Sequence, residues 1–86
     1  MTIWKYQLAM IDDQKIEMPR KARILSVQVQ DDVPCLWALV DDDAPTEQRA
    51  VRIAGTGHRV SGWSAENFVG TVQLAGGTLV FHVFVD

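Results

Sequence analysis

The residues most capable of chemistry in this 86-residue chain lie close together in IAGTGHRVSGW, residues 53 to 63. Gly55, Thr56, Gly57 and His58 make a glycine-rich turn after an apparent strand, with Arg52 just before it and Arg59 and Trp63 just beyond. Successive glycine-bearing backbone N–H groups form a concavity that takes an anion, and basic side chains at its rim add donors. An indole beside it would stack on a base. Together these seven residues predict a ligand site for a small phosphorylated, nucleotide-like molecule. The competing reading is a plain β-turn whose glycines supply positive φ. No G-K-[ST] ending follows as in a Walker loop, and no third glycine opens a helix as in the dinucleotide fingerprint.

Other chemistry is poorly supplied, and neither a catalytic nor a metal-binding residue is assigned. A zinc site needs three or four ligands at workable spacing, whereas His58, His82 and Cys35 are scattered along the chain. His82, between Phe81 and Val83, reads as a histidine satisfied by a hydrogen bond. Cys35, within VPCLWALVD, reads as a small buried hydrophobe rather than a nucleophile. The acidic runs Asp12-Asp13, Asp31-Asp32 and Asp41-Asp42-Asp43 fall at strand ends as solvated turns, and the last lacks the glycine and terminal glutamate of a calcium loop. Arg20, Lys21, Arg23 and Arg49 join Arg52 and Arg59 in a positive patch if their segments are adjacent. No cofactor is expected, and the protein reads as a non-enzyme.

The elements that must position these groups show period-two alternation interrupted by turn residues every eight to twelve positions, the rhythm of an all-β protein. Trp4, Tyr6 and Leu8 share one face of a first strand, and Ile16 and Met18 one face of a second that Pro19 ends. In ARILSVQVQ, Leu25, Val27 and Val29 are expected to face one way and Ser26, Gln28 and Gln30 the other, up to a turn at Asp31-Asp32. VPCLWALVD is apolar on both faces, as a central strand covered on each side requires. Val51 and Ile53 point inward from RAVRIAG, with Arg52 outward. One short helical turn is expected in SGWSAENF, with Ser64 accepting from the N–H of Asn67. FVGTVQL and TLVFHVFVD form a hairpin around Gly76-Gly77. The fold class predicted is all-β, a small antiparallel β-sandwich or barrel-like domain of about six to seven strands with at most one short helical turn.

Composition bounds the rest. With 48% apolar and 22% charged residues in 86, the chain is one folded domain, residues 1–86, and a domain of this size buries roughly 60 to 65% of its unfolded surface. A net charge of −3 gives no field to hold duplex nucleic acid. One cysteine fits a reducing compartment. The opening MTIWKYQLAMIDDQK lacks the basic start and apolar run of a signal peptide, and no segment reaches the ~18 to 20 apolar residues that cross a bilayer. The last strand carries Leu79, Phe81, Val83 and Val85 on one face and Val80 and Phe84 on the other. So thin a domain has little material to cover both, which predicts a homo-oligomer.

The ordered series IWKY, MPRKARILSVQVQ, VPCLWALVD, GTGH, FVGTVQL and GGTLVFHVF resembles a family of short uncharacterised proteins from tailed bacteriophages and prophages. The resemblance spans nearly the whole chain and implies an accessory phage protein acting in the cytoplasm of the infected bacterial host; it implies no reaction. For such a protein the residues admit three roles. One is an anti-defence protein that sequesters a small anionic, nucleotide-like ligand. The second is an inhibitor that binds a host protein complex through a strand edge and acidic turns such as Asp41 to Asp43. The third is a structural or assembly protein of the particle.

Overall fold

The computed structural model describes residues 1–86. Seven strands run in chain order: β1 (Thr2–Gln7), β2 (Asp13–Pro19), β3 (Arg23–Gln30), β4 (Val33–Val40), β5 (Thr46–Gly55), β6 (Phe68–Leu74) and β7 (Leu79–Val85). All pairs are antiparallel, in a three-stranded sheet ordered β1-β4-β3 and a four-stranded sheet ordered β2-β5-β7-β6. The all-β expectation holds, with two single 3₁₀ turns, Ala65–Asn67 and Ala75–Gly77, in place of one. No helix is long and apolar enough to cross a membrane.

The period-two pattern builds the core from both sheets. Leu36 of β4 meets Val51 and Ile53 of β5, Val72 of β6 and Val83 of β7 in one cluster. Met18, Ala22, Ala38 and Val40 make a second. Tyr6 and Ile16 pack against both, and burial pushes the Tyr6 phenol above its ordinary pKa. Each large side chain so buried contributes about 1.5 to 3 kcal/mol. As its two apolar faces predict, β4 is the central strand of its sheet, with Cys35 fully buried. The sheets come together where β3 runs beside β6. There a side chain on Gly70 would bring a Cβ 3.0 Å from the Val27 methyl Cγ1, so Val27 would have to shift to admit one.

One local expectation is corrected. Leu25 does not join Val27 and Val29: a β-bulge between Ile24 and Ser26 leaves it 47% exposed and turns Ile24 onto the core instead. The turn at Ala65–Asn67 carries a capping box between Ser64 and Asn67; the Asn67 N–H also donates to the Ser64 carbonyl (3.0 Å), and the Asn67 Oδ1 accepts from the Ser64 N–H and hydroxyl (both 3.3 Å).

The terminal strand finds part of its cover within the chain. Phe84, on the outer face of β7, packs edge-on against Phe68 at 5.5 Å between ring centroids and against Trp63 at 6.2 Å. The segment after the glycine-rich turn thus packs Trp63 onto Phe84, while Phe68 stays 45% exposed.

Candidate functional site

Strand directions gather four connections at one end of the sandwich: the β1–β2 loop, the β3–β4 turn, the glycine-rich turn after β5 and the β6–β7 hairpin. Each is fixed locally. Gln14 closes the β1–β2 loop by accepting from the Ala9 N–H (3.1 Å) and donating to its carbonyl (2.8 Å), and the Ile53 N–H reaches across to the Asp12 carbonyl (2.9 Å). Asp31 and Asp32, with φ of 52° and 61°, supply the two positive φ values that a two-residue primed hairpin turn demands, which aspartate tolerates. The Asp32 Oδ1 then accepts from the Ala75 N–H at 3.0 Å, tying the tip of one sheet's hairpin to the tip of the other's.

Between these loops lies a cleft of about 380 Å³. Ile53, Leu74 and Phe81 line it from the core side, and Met10, Ile11 and Leu79 at its mouth stand 46%, 53% and 48% exposed. Its polar lining is Asp12, Asp32 and His58, without a lysine or arginine. A volume in the range of ligand pockets, roughly 300 to 1,000 Å³, with apolar walls and a few polar groups is the usual form of a binding site.

The seven residues expected to form an anion site disperse. Gly55 and His58 line the cleft. The His58 N–H donates to the Gly55 carbonyl (3.1 Å), closing a turn in which Gly57 takes φ 89°, so the His58 amide is engaged within the turn. The His58 ring folds back over Gly55, where a Cβ would stand 3.1 Å from its Cε1. Thr56 turns to the other side, bonding the Nε2 of His82 at 2.8 Å while Thr71 bonds the Nδ1 at 2.9 Å. Arg52 donates from Nε and Nη2 to Asp13 at 2.7 and 3.1 Å, a pairing that holds the guanidinium above its ordinary pKa. Arg59 is exposed, and Trp63 lies on Phe84.

The basic residues divide likewise. Lys21, Arg23 and Arg49 do share one cleft, at the opposite end of the sandwich; Arg52 and Arg59 are not among its lining residues. His82 is satisfied by two hydroxyls, and Cys35 by burial and a contact of its Sγ with the Val33 carbonyl at 3.5 Å. Sequence reasoning passed over Met10 and Ile11, two large apolar residues beside the Asp12-Asp13 turn, and read Leu79 only as part of an apolar face of β7.

These features define a small antiparallel β-sandwich with a cleft among the loops of one end. Residues 1–86 match the family described as Domain of unknown function (DUF7352), and the chain belongs to that family. No curated protein and no solved structure matches it.

Proposed function

We infer that this protein is a non-enzymatic binding protein, and that its loop-end cleft receives an apolar group bearing a positive charge, presented by a partner protein. The composition of the cleft carries this reading: apolar walls, two carboxylates and one imidazole, with no arginine or lysine among its lining residues. Two unit charges 4 Å apart attract or repel by about 1 kcal/mol in water and about 4 kcal/mol at the effective dielectric of a protein surface. Asp12 and Asp32 therefore favour an ammonium or guanidinium flanked by hydrophobic surface and oppose a phosphate. The setting comes from the resemblance of the sequence to short phage and prophage proteins. It is the cytoplasm of an infected bacterium, where the partner is a host protein complex whose action the phage protein blocks. Sequestration of a nucleotide-like ligand by the glycine-rich turn has less support, because Arg52 is paired with Asp13 and the His58 N–H is engaged within the turn.

The test is a pair of probes with one ring and opposite charge, phenethylammonium and 3-phenylpropanoate, titrated into the ¹⁵N-labelled protein. The cation should move the amides of Met10 to Asp12, Gly55 to His58 and Leu79 to Phe81 and bind at least about fivefold tighter, the factor that 1 kcal/mol supplies. Equal or preferential binding of the carboxylate would overturn the reading.

A further inference from the structure

We propose a second binding site, for a small oxyanion of the phosphate kind, in the cleft at the opposite end of the sandwich. This cleft, about 480 Å³, is lined by Lys21, Arg23 and Arg49 together with Asn67. Of the three cations Arg49 is held in place. Its side chain is only 17% exposed. Its Nη1 donates to the Ala22 carbonyl (2.9 Å) and toward the Met18 sulfur (3.8 Å), its Nε to the Asp86 carbonyl (2.9 Å) and carboxylate (3.3 Å), and its Nη2 to the Asp86 carbonyl. A guanidinium carries five N–H donors, and these contacts leave one on Nη2 unengaged. Asn67 uses its Oδ1 on Ser64, which leaves its side-chain N–H₂ to donate. Lys21 and Arg23 form no ion pair or hydrogen bond through their side chains.

The backbone is shaped around this cleft. The bulge in β3 falls between Ile24 and Ser26, and the bulge in β6 between Phe68 and Gly70; Ile24 and Val69, one at each bulge, both line it. β3 and β6 are the strands along which the two sheets adjoin, so both bulges fall on the seam where the cations gather. Bulges commonly re-aim side chains beside binding sites. The side-chain carboxylates there are Asp86, already held by Arg49, and Glu66, and Lys21 and Arg23 are the lining cations without a carboxylate partner.

Amide-detected titration of the full chain with inorganic phosphate, and separately with a nucleoside 5′-monophosphate, tests the site. Shifts should fall on residues 21 to 24 and 67 to 69. Arg23→Gln and Lys21→Asn, two exposed positions of which the second takes a residue at ease at the observed φ of 62°, should each weaken binding at least about fivefold. His58→Ala should leave it unchanged. Binding of both probes alike identifies free phosphate as sufficient, and binding of the monophosphate alone identifies a phosphoryl group on a larger molecule; either outcome supports the site. Absence of shifts with both probes, or shifts centred on residues 55 to 59 and lost in His58→Ala, would overturn it.

Discussion

The two ends of this sandwich are made from similar materials and arrive at opposite chemistry. At the loop end, carboxylates and one histidine border apolar walls, and the side chains at the mouth are Met10, Ile11 and Leu79. At the other end, lysine and arginine border a polar cleft, and a largely buried arginine ties Ala22 and Asp86 together. The difference lies in how each end satisfies its backbone. The loop end does so with short side chains, Gln14 and Asp32, acting on neighbouring N–H and C=O groups. The basic end uses a single long cation to hold the Ala22 carbonyl and the main-chain and side-chain oxygens of Asp86. Arg49 at one end and Asp32 at the other are each both a clamp and a lining residue, so each brings its charge to the cleft it helps to close.

Substitutions at four positions break or sharpen that contrast. The largest effect is expected from Arg49→Leu, which orphans the Ala22 carbonyl and the Asp86 groups. The loss should be about 2 to 3 kcal/mol in urea denaturation, given charge-assisted bonds by a mostly buried group; a loss below about 1 kcal/mol would show that Arg49 is not the clamp. Asp32→Ala removes the acceptor of the Ala75 N–H and places a Cβ residue with no side-chain acceptor at φ 61°, for about 1 to 2 kcal/mol. Asp32→Gly, which restores the conformational freedom, should recover part of it. Gly55→Ala should cost less than about 1 kcal/mol in stability, since the crowding atoms belong to the movable His58 ring. It should nevertheless alter phenethylammonium affinity, because that ring is a wall of the cleft.

The smallest effect concerns Asp42, in the β4–β5 loop at the basic end. Its carboxylate accepts from the Thr2 hydroxyl at 2.9 and 2.8 Å, which holds its pKa below the usual aspartate value. A carboxyl whose folded pKa is depressed adds stability that is present above the unfolded value and lost as pH falls through the folded one. Thr2→Val should therefore raise the Asp42 titration midpoint toward the ordinary range and slightly reduce stability above it, leaving stability in strong acid unchanged. Carboxyl carbon shifts followed against pH would show the first effect, and an unmoved midpoint would refute it.

Alternation in the chain predicts the strands well because each sheet has one face on a common core, and β4 declares its central place through apolar residues at both parities. The bulge that expels Leu25 was not legible: the seam between β3 and β6, with Gly70 pressed to Val27, imposes it from afar. Phe84 was legible as greasy but not as covered, since its cover, Trp63, lies on a stretch with no periodicity and reaches it only through the tertiary fold. Leu79 of β7 and Phe68 beside Phe84 nevertheless stay 48% and 45% exposed. Apolar surface stands also on the three-stranded sheet, at Ile3 and Leu25. The glycine-rich turn was visible as a turn and contributes Gly55 and His58 to a site, but the partners of Arg52 and Thr56 come from β2 and β7, which local sequence does not reveal.

The charge preference of the loop-end cleft is tested most directly by the ratio of phenethylammonium to 3-phenylpropanoate affinity, measured on the native protein and on Asp12→Lys. The native ratio should exceed one, and reversing a single exposed charge, which takes the lining from two negative charges to a balance of one positive and one negative, should carry it toward one. A ratio that stays the same in both proteins would contradict an electrostatic role for the cleft and with it the assignment of a cationic partner.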